Sequence, residues 1–259
     1  MNYLDDILER KKWEVKDRSH DLDLGALQRR LTRSDKDVLG ALRRSDRISV
    51  IAEHKRKSPS KGFIRPESDP AEIARQYEAA GASAMSVLTD DEGFGGSADD
   101  LRAARAAVDL PLLCKDFVIT PQQVFEARDW GADIVLLIVA ALSKGALASL
   151  LSVTRGLGMT PLVEVHDSHE LDRALSLGCK LVGVNNRNLH SFEVSLDISE
   201  TLATRFPADV VRVSESGIRN SKDVRRIREA GYDAVLVGEH FMRSEHPGTA
   251  LTELIEASS

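Results

Sequence analysis

Four segments of the chain repeat one pattern: a stretch with helical spacing of apolar positions, then a glycine, then a short and almost unbroken apolar run. They read YEAAGASAMSVLT, EARDWGADIVLLIV, RALSLGCKLVGVN and REAGYDAVLVGE. Gly81, Gly131, Gly178 and Gly231 stand where a helix leaves its last turn through the left-handed region, which glycine enters without steric cost. The run after each is rich in Val, Ile and Leu and is too apolar for a sheet wetted on one face, so it reads as a buried parallel strand. Four further runs, RISVIAE (47–53), LPLLCK (110–115), TPLVEV (160–165) and DVVRVSES (209–216), bring the strands to eight. Stretches that mostly read as amphipathic helices separate them.

Eight strand and helix units within residues 47–259 fit an α/β fold of the closed (β/α)8 type, the TIM barrel, better than an open doubly wound sheet. No GxGxxG follows any strand, which argues further against a dinucleotide fold. Residues 1–46 belong to none of the units. Leu4, Ile7 and Leu8, then Leu24, Leu27 and Leu31, recur at helical spacing. The expected division is therefore an N-terminal extension of two helices, 1–46, packed on a barrel domain of 47–259.

Composition narrows the setting. A net charge of −6 over 259 residues argues against a general nucleic-acid binder, although the basic stretch at 54–61 keeps a local site open; a gel shift at low salt would reveal one. Only Cys114 and Cys179 are present, both in apolar runs. A disulfide framework is not expected, and a reducing, cytoplasmic setting is. The start, MNYLDDILERKKWEV, is acidic and amphipathic, and no run approaches ~18 consecutive apolar residues, so neither export nor membrane insertion is expected.

In a barrel of this kind chemistry sits at the C-terminal ends of the strands. Those ends carry Glu53 and Lys55 on the first strand, Lys115 on the third, Glu164 on the fifth, Asn185 and Arg187 on the sixth, and Glu215, Ser216 and Gly217 on the seventh. Alternation puts Glu53 with Lys55, and Asn185 with Arg187, on a shared face. A ring of rim salt bridges is the competing use of any one of these side chains; their coincidence on five strands favours a site. SESGI and VLVGE end the seventh and eighth strands, where barrels often hold phosphate through backbone N–H groups. Ser216, Gly217, Gly238 and Glu239 are the candidates there, with Lys55 as a cationic partner, and Gly217 and Gly238 would let the backbone approach closely.

Taken in order, these blocks resemble the indole-3-glycerol phosphate synthase family, the decarboxylating ring-closure enzymes of tryptophan biosynthesis. IAEHKRKSPSKG (51–62) looks like the family's first strand and loop, SVLTDDEGFGGS (86–97) like its second, and KDF (115–117) like its third strand end; LVEVH, VNNRNL, SESGI and LVGEHFMR follow in the family's order. The helical extension is also similar. The chain departs from the family at His54, where a small aliphatic residue is usual, at Cys114, where an arginine is usual, and at Asn188, where an aspartate is usual. Alternation turns His54 and Cys114 toward the helical shell. With no second His or Cys at ligand spacing, His54 is expected to be a satisfied histidine and no metal is expected.

The resemblance implies a phosphorylated substrate, 1-(2-carboxyphenylamino)-1-deoxyribulose 5-phosphate, and acid/base chemistry without a cofactor. It implies Lys115 as principal general acid and Glu164 as base in dehydration. Lys55, steered by Glu53, would bind the departing carboxylate and share the acid role, Asn185 and Glu215 would orient sugar hydroxyls or an ordered water, and Arg187 would support the anionic end. Ser58 and Pro59 would touch ligand from the loop after the first strand, while Pro59, Phe94, Phe117 and Leu136 would form the slot for the aromatic ring. Arg56 and Lys57, and likewise Arg10, Lys11 and Lys12, are expected on solvated faces. Two rival readings are a related phosphate-binding barrel such as phosphoribosylanthranilate isomerase, whose acid and base would be a Cys and an Asp, and a non-catalytic sensor of a phosphorylated ligand. A monomer is expected, with association to other enzymes of the tryptophan pathway as a possible partnership.

Overall fold

Each of the eight apolar runs is a strand of one closed parallel barrel in the computed structural model, which describes residues 3–59, 61–188 and 191–257. The strands are β1 (Ser49–His54), β2 (Ala84–Leu88), β3 (Leu112–Lys115), β4 (Ile134–Ile138), β5 (Thr160–Val165), β6 (Leu181–Asn185), β7 (Val211–Glu215) and β8 (Ala234–Val237). Each pairs with the next, and β8 closes on β1 with Ser49 opposite Ala234 and Ala52 opposite Val237. The fold is a (β/α)8 barrel. The helices between strands start where the sequence supplies caps, for example Asp69 before Pro70 and Ser97 accepting from the Asp100 N–H, and they leave through left-handed glycines, with φ of 83° at Gly81 and 92° at Gly231.

Period-two alternation sorts the strand residues into two apolar layers. Ile51, Leu113, Ile134, Leu136, Leu162 and Val213 fill the barrel interior, while Val50, Ala52, Leu112, Cys114, Val135, Leu137 and Val163 pack outward against helices. The same parity carries on to the strand ends. Glu53 follows Ile51 inward, Lys115 follows Leu113, Glu164 follows Leu162 and Glu215 follows Val213, whereas His54 and Cys114 take the outward positions.

The N-terminal segment departs from the expected pair of helices. It forms three: α1 (Tyr3–Asp21), α2 (Leu24–Arg30) and α3 (Val38–Leu42). Ile7 and Leu27 are buried as their spacing suggests. The third helix, capped by Asp37 on the Gly40 N–H, puts Val38 and Leu42 into the interior cluster with Ile51, Leu181 and Val211. It plugs the end of the barrel opposite the strand C-termini. At the other end, the loop after β1 folds into a short antiparallel hairpin of Lys57–Ser58 with Gly62–Phe63.

Candidate active site

A cavity of about 760 Å³ opens at the C-terminal ends of the strands, and Glu53, Lys55, Lys115, Glu164, Asn185, Arg187 and Glu215 all line it. Their positions follow from the inward parity of the strands. Lys55 Nζ lies 2.7 Å from Glu53 Oε1, and Lys115 Nζ lies 3.2 Å from Glu215 Oε2 and 3.8 Å from Glu164 Oε2. Asn185 helps hold the Glu164 carboxylate in its charged form, and its Oδ1 accepts the Arg187 N–H at 3.1 Å. The Arg187 guanidinium donates to the Phe192 carbonyl at 3.4 Å, beside the Arg187–Val194 bridge.

Crowding of buried charge sets the protonation states. Burial acts to lower the Lys115 pKa, but Glu215, Glu164 and Glu53 reverse this, and the ammonium is held charged well above its ordinary value. This differs from a lysine poised downward to act as an acid; the surplus of carboxylates around one ammonium is the reason. Glu215 is pushed up to about 7 by burial, with Glu164 and Glu53 repelling its charge and Lys115 only partly compensating. Burial acts on Glu164 in the same upward sense, yet His166, Lys115 and Asn185 together bring it down to about 2. Two carboxylates in one pocket are thus driven apart, one toward the neutral range and one firmly ionised.

Two glycines make room for this cluster. A Cβ on Gly183 of β6 would stand 2.0 Å from Glu215 Oε1, and one on Gly238 would stand 2.3 Å from Glu53 Oε1. Gly238 therefore shapes the carboxylate cluster as well as the rim of the cavity. Ser216, Gly217, Gly238 and Glu239 line that rim, with φ of 65° at Ser216 and 89° at Gly217. A left-handed serine costs ~1 kcal/mol or more and persists where its surroundings hold it. Buried Asn186 does so, donating from Nδ2 to the Ser214 hydroxyl at 2.9 Å and to the carbonyls of Glu215 at 3.0 Å and Ser216 at 3.2 Å. The Glu239 carboxylate is held by Lys61 at 2.7 Å and Arg243 at 2.9 Å, so it is the backbone of Glu239, and not its side chain, that an anion could use.

The apolar wall is on the opposite side. Phe94 and Phe117 face each other with centroids 6.4 Å apart, and Pro59, Leu136 and Ile138 line the same cavity. The Ser58 hydroxyl is buried there without a hydrogen-bond partner. Tyr3, Leu4 and Ile7 of α1 close over the mouth, with Tyr3 edge-on to Phe192 at 5.1 Å.

Of the basic residues expected on solvated faces, Lys12 is exposed, whereas Lys11, Arg56 and Lys57 are not. Lys11 is only 2% exposed, and its ammonium meets Asp90 at 2.7 Å, Asp116 at 2.8 Å and Glu14 at 2.9 Å. Arg56 is half-buried and pairs with Asp100, its Nη2 donating to Oδ1 at 2.9 Å, while also holding the carbonyls of Gly95 and Ser68. Lys57 is half-buried too and donates to the Glu92 carbonyl at 2.8 Å. His54 is a satisfied core histidine: Ser68 Oγ donates to the Arg65 carbonyl and so accepts from His54 Nε2 at 3.0 Å, and burial with Arg56 nearby brings the ring down to about 4. Cys114 is buried outside the cavity with its thiol pushed up to about 12 by burial, which removes it as a nucleophile. Among the described residues no group of His, Cys, Asp and Glu is arranged to hold a metal ion. None of the helices described is long and apolar enough to cross a membrane.

Fold and site together define a (β/α)8 barrel whose cavity sets half-buried lysines and buried carboxylates against an aromatic wall. The indole-3-glycerol phosphate synthase family profile matches residues 4–254, and the chain belongs to that family. It is 49% identical over 265 residues to an indole-3-glycerol phosphate synthase of Kineococcus radiotolerans, covering 100% of this chain and 97% of that protein. It is 48% identical to the enzyme of the same name from a Parafrankia species, with the same coverage, and 46% identical to indole-3-glycerol phosphate synthase 1 of Streptomyces coelicolor, covering 99% and 96%. Among solved structures, 3-hexulose-6-phosphate synthase superposes with a TM-score of 0.63 at 14% identity over 82% of this chain and all of that one. Thiamine phosphate pyrophosphorylase from Pyrococcus furiosus gives 0.62 at 16% identity over 81% and 95%; both show the barrel alone.

Proposed function

We infer that the chain is an indole-3-glycerol phosphate synthase, a carboxy-lyase that closes 1-(2-carboxyphenylamino)-1-deoxyribulose 5-phosphate to indole-3-glycerol phosphate with loss of carbon dioxide and water. The observation that carries the reading is the Lys115 ammonium between Glu215 and Glu164 in a cavity with Phe94 and Phe117 on its wall. The ring of the substrate fits that wall, with Pro59 and Leu136 beside it, and its phosphate fits the backbone at Ser216, Gly217, Gly238 and Glu239 with Lys61 and Arg243 nearby. Ser58 offers its free hydroxyl to the ligand, and Arg187 supports the anionic end.

In this reading Lys115 gives its proton to the ketone oxygen as the ring carbon bearing the carboxylate attacks the ketone carbon. Lys55, steered by Glu53, holds the carboxylate against that carbon. The bond to the carboxylate then breaks, carbon dioxide leaves, and its electron pair restores the aromatic ring. The new hydroxyl departs as water with a proton from Lys55, which shares the acid role, the ring nitrogen pushing, and Glu164 takes the proton from the neighbouring carbon to complete the indole double bond. Asn185 keeps Glu164 aimed, and Glu215, near neutrality in its own pKa, orients a sugar hydroxyl or water and can return a proton to Lys115. Among these carboxylates the ammonium is a reluctant acid; it parts with its proton only to an oxygen that gathers negative charge as the bond forms.

The test is to incubate the purified protein with the substrate while following indole absorbance and carbon dioxide release. Stoichiometric appearance of both supports the reading; binding without turnover would favour the sensor. The isomerase alternative needs a cysteine acid, and Cys114 lies outside the cavity. We further propose a cytoplasmic enzyme, monomeric and without nucleic-acid binding, built as residues 1–46 on a barrel of 47–259, with association to other enzymes of the pathway as a possible partnership.

A further inference from the structure

The roles above leave one charged pair at the barrel rim unused. His166 directly follows β5, outside the residues that line the cavity. Its ring lies between two carboxylates, with Nδ1 3.1 Å from Glu170 Oε2 and Nε2 3.3 Å from Glu164 Oε1. The same Glu170 oxygen accepts the His166 backbone N–H at 2.8 Å, so one carboxylate fixes both ring and main chain. Glu170 is itself placed by the first turn of the helix Ser168–Ser176, whose cap Asp167 accepts the Glu170 N–H. Nε2 is buried without an aligned hydrogen bond, so what it offers Glu164 is charge at short range.

We propose that His166, held by Glu170, is a positioning residue that keeps Glu164 ionised and aimed into the cavity as a ready base. The inference rests on the reading of Glu164 as the general base. Glu164 is only 2% exposed, and burial alone would favour its protonated form. The groups that face it are Lys115 from β3, Asn185 from β6, Glu215 from β7 and, farther round, Glu53 from β1; of these only Lys115 brings positive charge. Lys115, however, gives up its proton during turnover, and until a proton returns to it its support for the Glu164 anion is gone. An imidazolium between two carboxylates does not lapse: burial acts to lower the His166 pKa, but Glu164 and Glu170 raise it to about 10.

The experiment is the pH dependence of kcat, from indole absorbance at saturating substrate, for the wild type, His166→Gln, Glu170→Gln and Glu164→Gln. Without the imidazolium Glu164 is left, like Glu215, as a buried carboxylate with Lys115 as its compensating cation, so its pKa rises from about 2 toward the neutral range and its protonated, inactive form persists to a pH at which the limb is read. The His166→Gln acid limb should therefore move up by about one pH unit, or steepen by a second proton, while the plateau stays within about threefold of wild type. Glu170→Gln should shift the limb the same way by less, and it decides the matter by the same criterion if His166→Gln does not fold. A limb that superimposes on wild type, or a loss equal at every pH, overturns the proposal. Glu164→Gln separates the two readings. If it turns over like wild type, the base assignment is wrong and this inference falls with it; if it is inactive while the His166→Gln limb is unmoved, only the role of His166 is wrong.

Discussion

As the proposed general acid, Lys115 must hold a proton and also release it, and its neighbours favour the first task. With Glu215 at 3.2 Å and Glu164 at 3.8 Å the ammonium is stabilised, so in the proposed reaction its proton moves in concert with bond formation. Lys115→Met should lower kcat by about 10²- to 10⁴-fold with little change in KM, measured by steady-state kinetics; wild-type turnover would remove it from the acid role. Gly183 bears on the same cluster from the other side. In Gly183→Ala the added Cβ would sit 2.0 Å from Glu215 Oε1, and displacing that carboxylate should lower kcat about tenfold or more at a destabilisation of about 1–3 kcal/mol. Kinetics beside a melting curve check it, and unchanged kinetics would mean that Glu215 can move without consequence. The inward direction of Glu53, Lys115, Glu164 and Glu215 was legible because strand parity extends to the strand ends. The need for Gly183 was not: LVGVN reads as a strand with one small residue, and the side chain that occupies the freed space comes from a neighbouring strand thirty-odd positions on.

At the scale of elements, α1 is joined to the barrel by a buried ionic clamp as well as by apolar contact. Lys11 reaches Asp90, which caps the short helix Asp91–Phe94, and Asp116, which follows Lys115 and accepts the Phe117 N–H at 2.7 Å. One ammonium thus ties α1 to the loops that carry both wall phenylalanines. Lys11→Met leaves Asp116 buried without its cation and Asp90 with Arg10 alone, a loss expected to cost about 3–5 kcal/mol. The melting temperature should fall and KM rise more than kcat falls; a variant as stable as wild type would show the clamp to be dispensable. The sequence hides this because RKK reads as a solvated run and its partners lie near positions 90 and 116. The eight strands and the helix ends at Gly81, Gly131, Gly178 and Gly231 were readable because apolar runs and left-handed glycines are local signals. VLGAL is too short for helical periodicity to register, and its burial makes sense only once a barrel with an open lower end exists.

For the molecule as a whole, residues before β1 serve both ends of the barrel, which changes what their removal should do. α1 lies over the mouth through Tyr3, Leu4 and Ile7, whereas α3 fills the opposite end through Val38 and Leu42, and Ser34 between them binds Asp133 at 2.6 Å and the Leu157 carbonyl at 2.9 Å. A chain beginning near Thr32 loses the cover and α2, with its buried Leu27 and the Arg30–Asp129 pair, but keeps the plug. It should fold, with a melting temperature lowered by the loss of the Lys11 clamp and of α2, and show a raised KM with a smaller loss in kcat, because water enters the mouth once Tyr3, Leu4 and Ile7 are gone. A chain beginning near Ser45 loses the plug as well. Ile51, Leu181 and Val211 would then meet water, and Val38 and Leu42 alone account for about 3–6 kcal/mol of buried side chain, a large share of what holds a domain together. That chain should melt far lower or fail to fold, so its kinetics would say nothing about the mouth. Melting curves and both kinetic constants for the two truncations separate the functions; equal stability of the two chains would show that α3 is not the plug its packing indicates, and an unaltered KM in the longer one would reduce α1 to a structural cap.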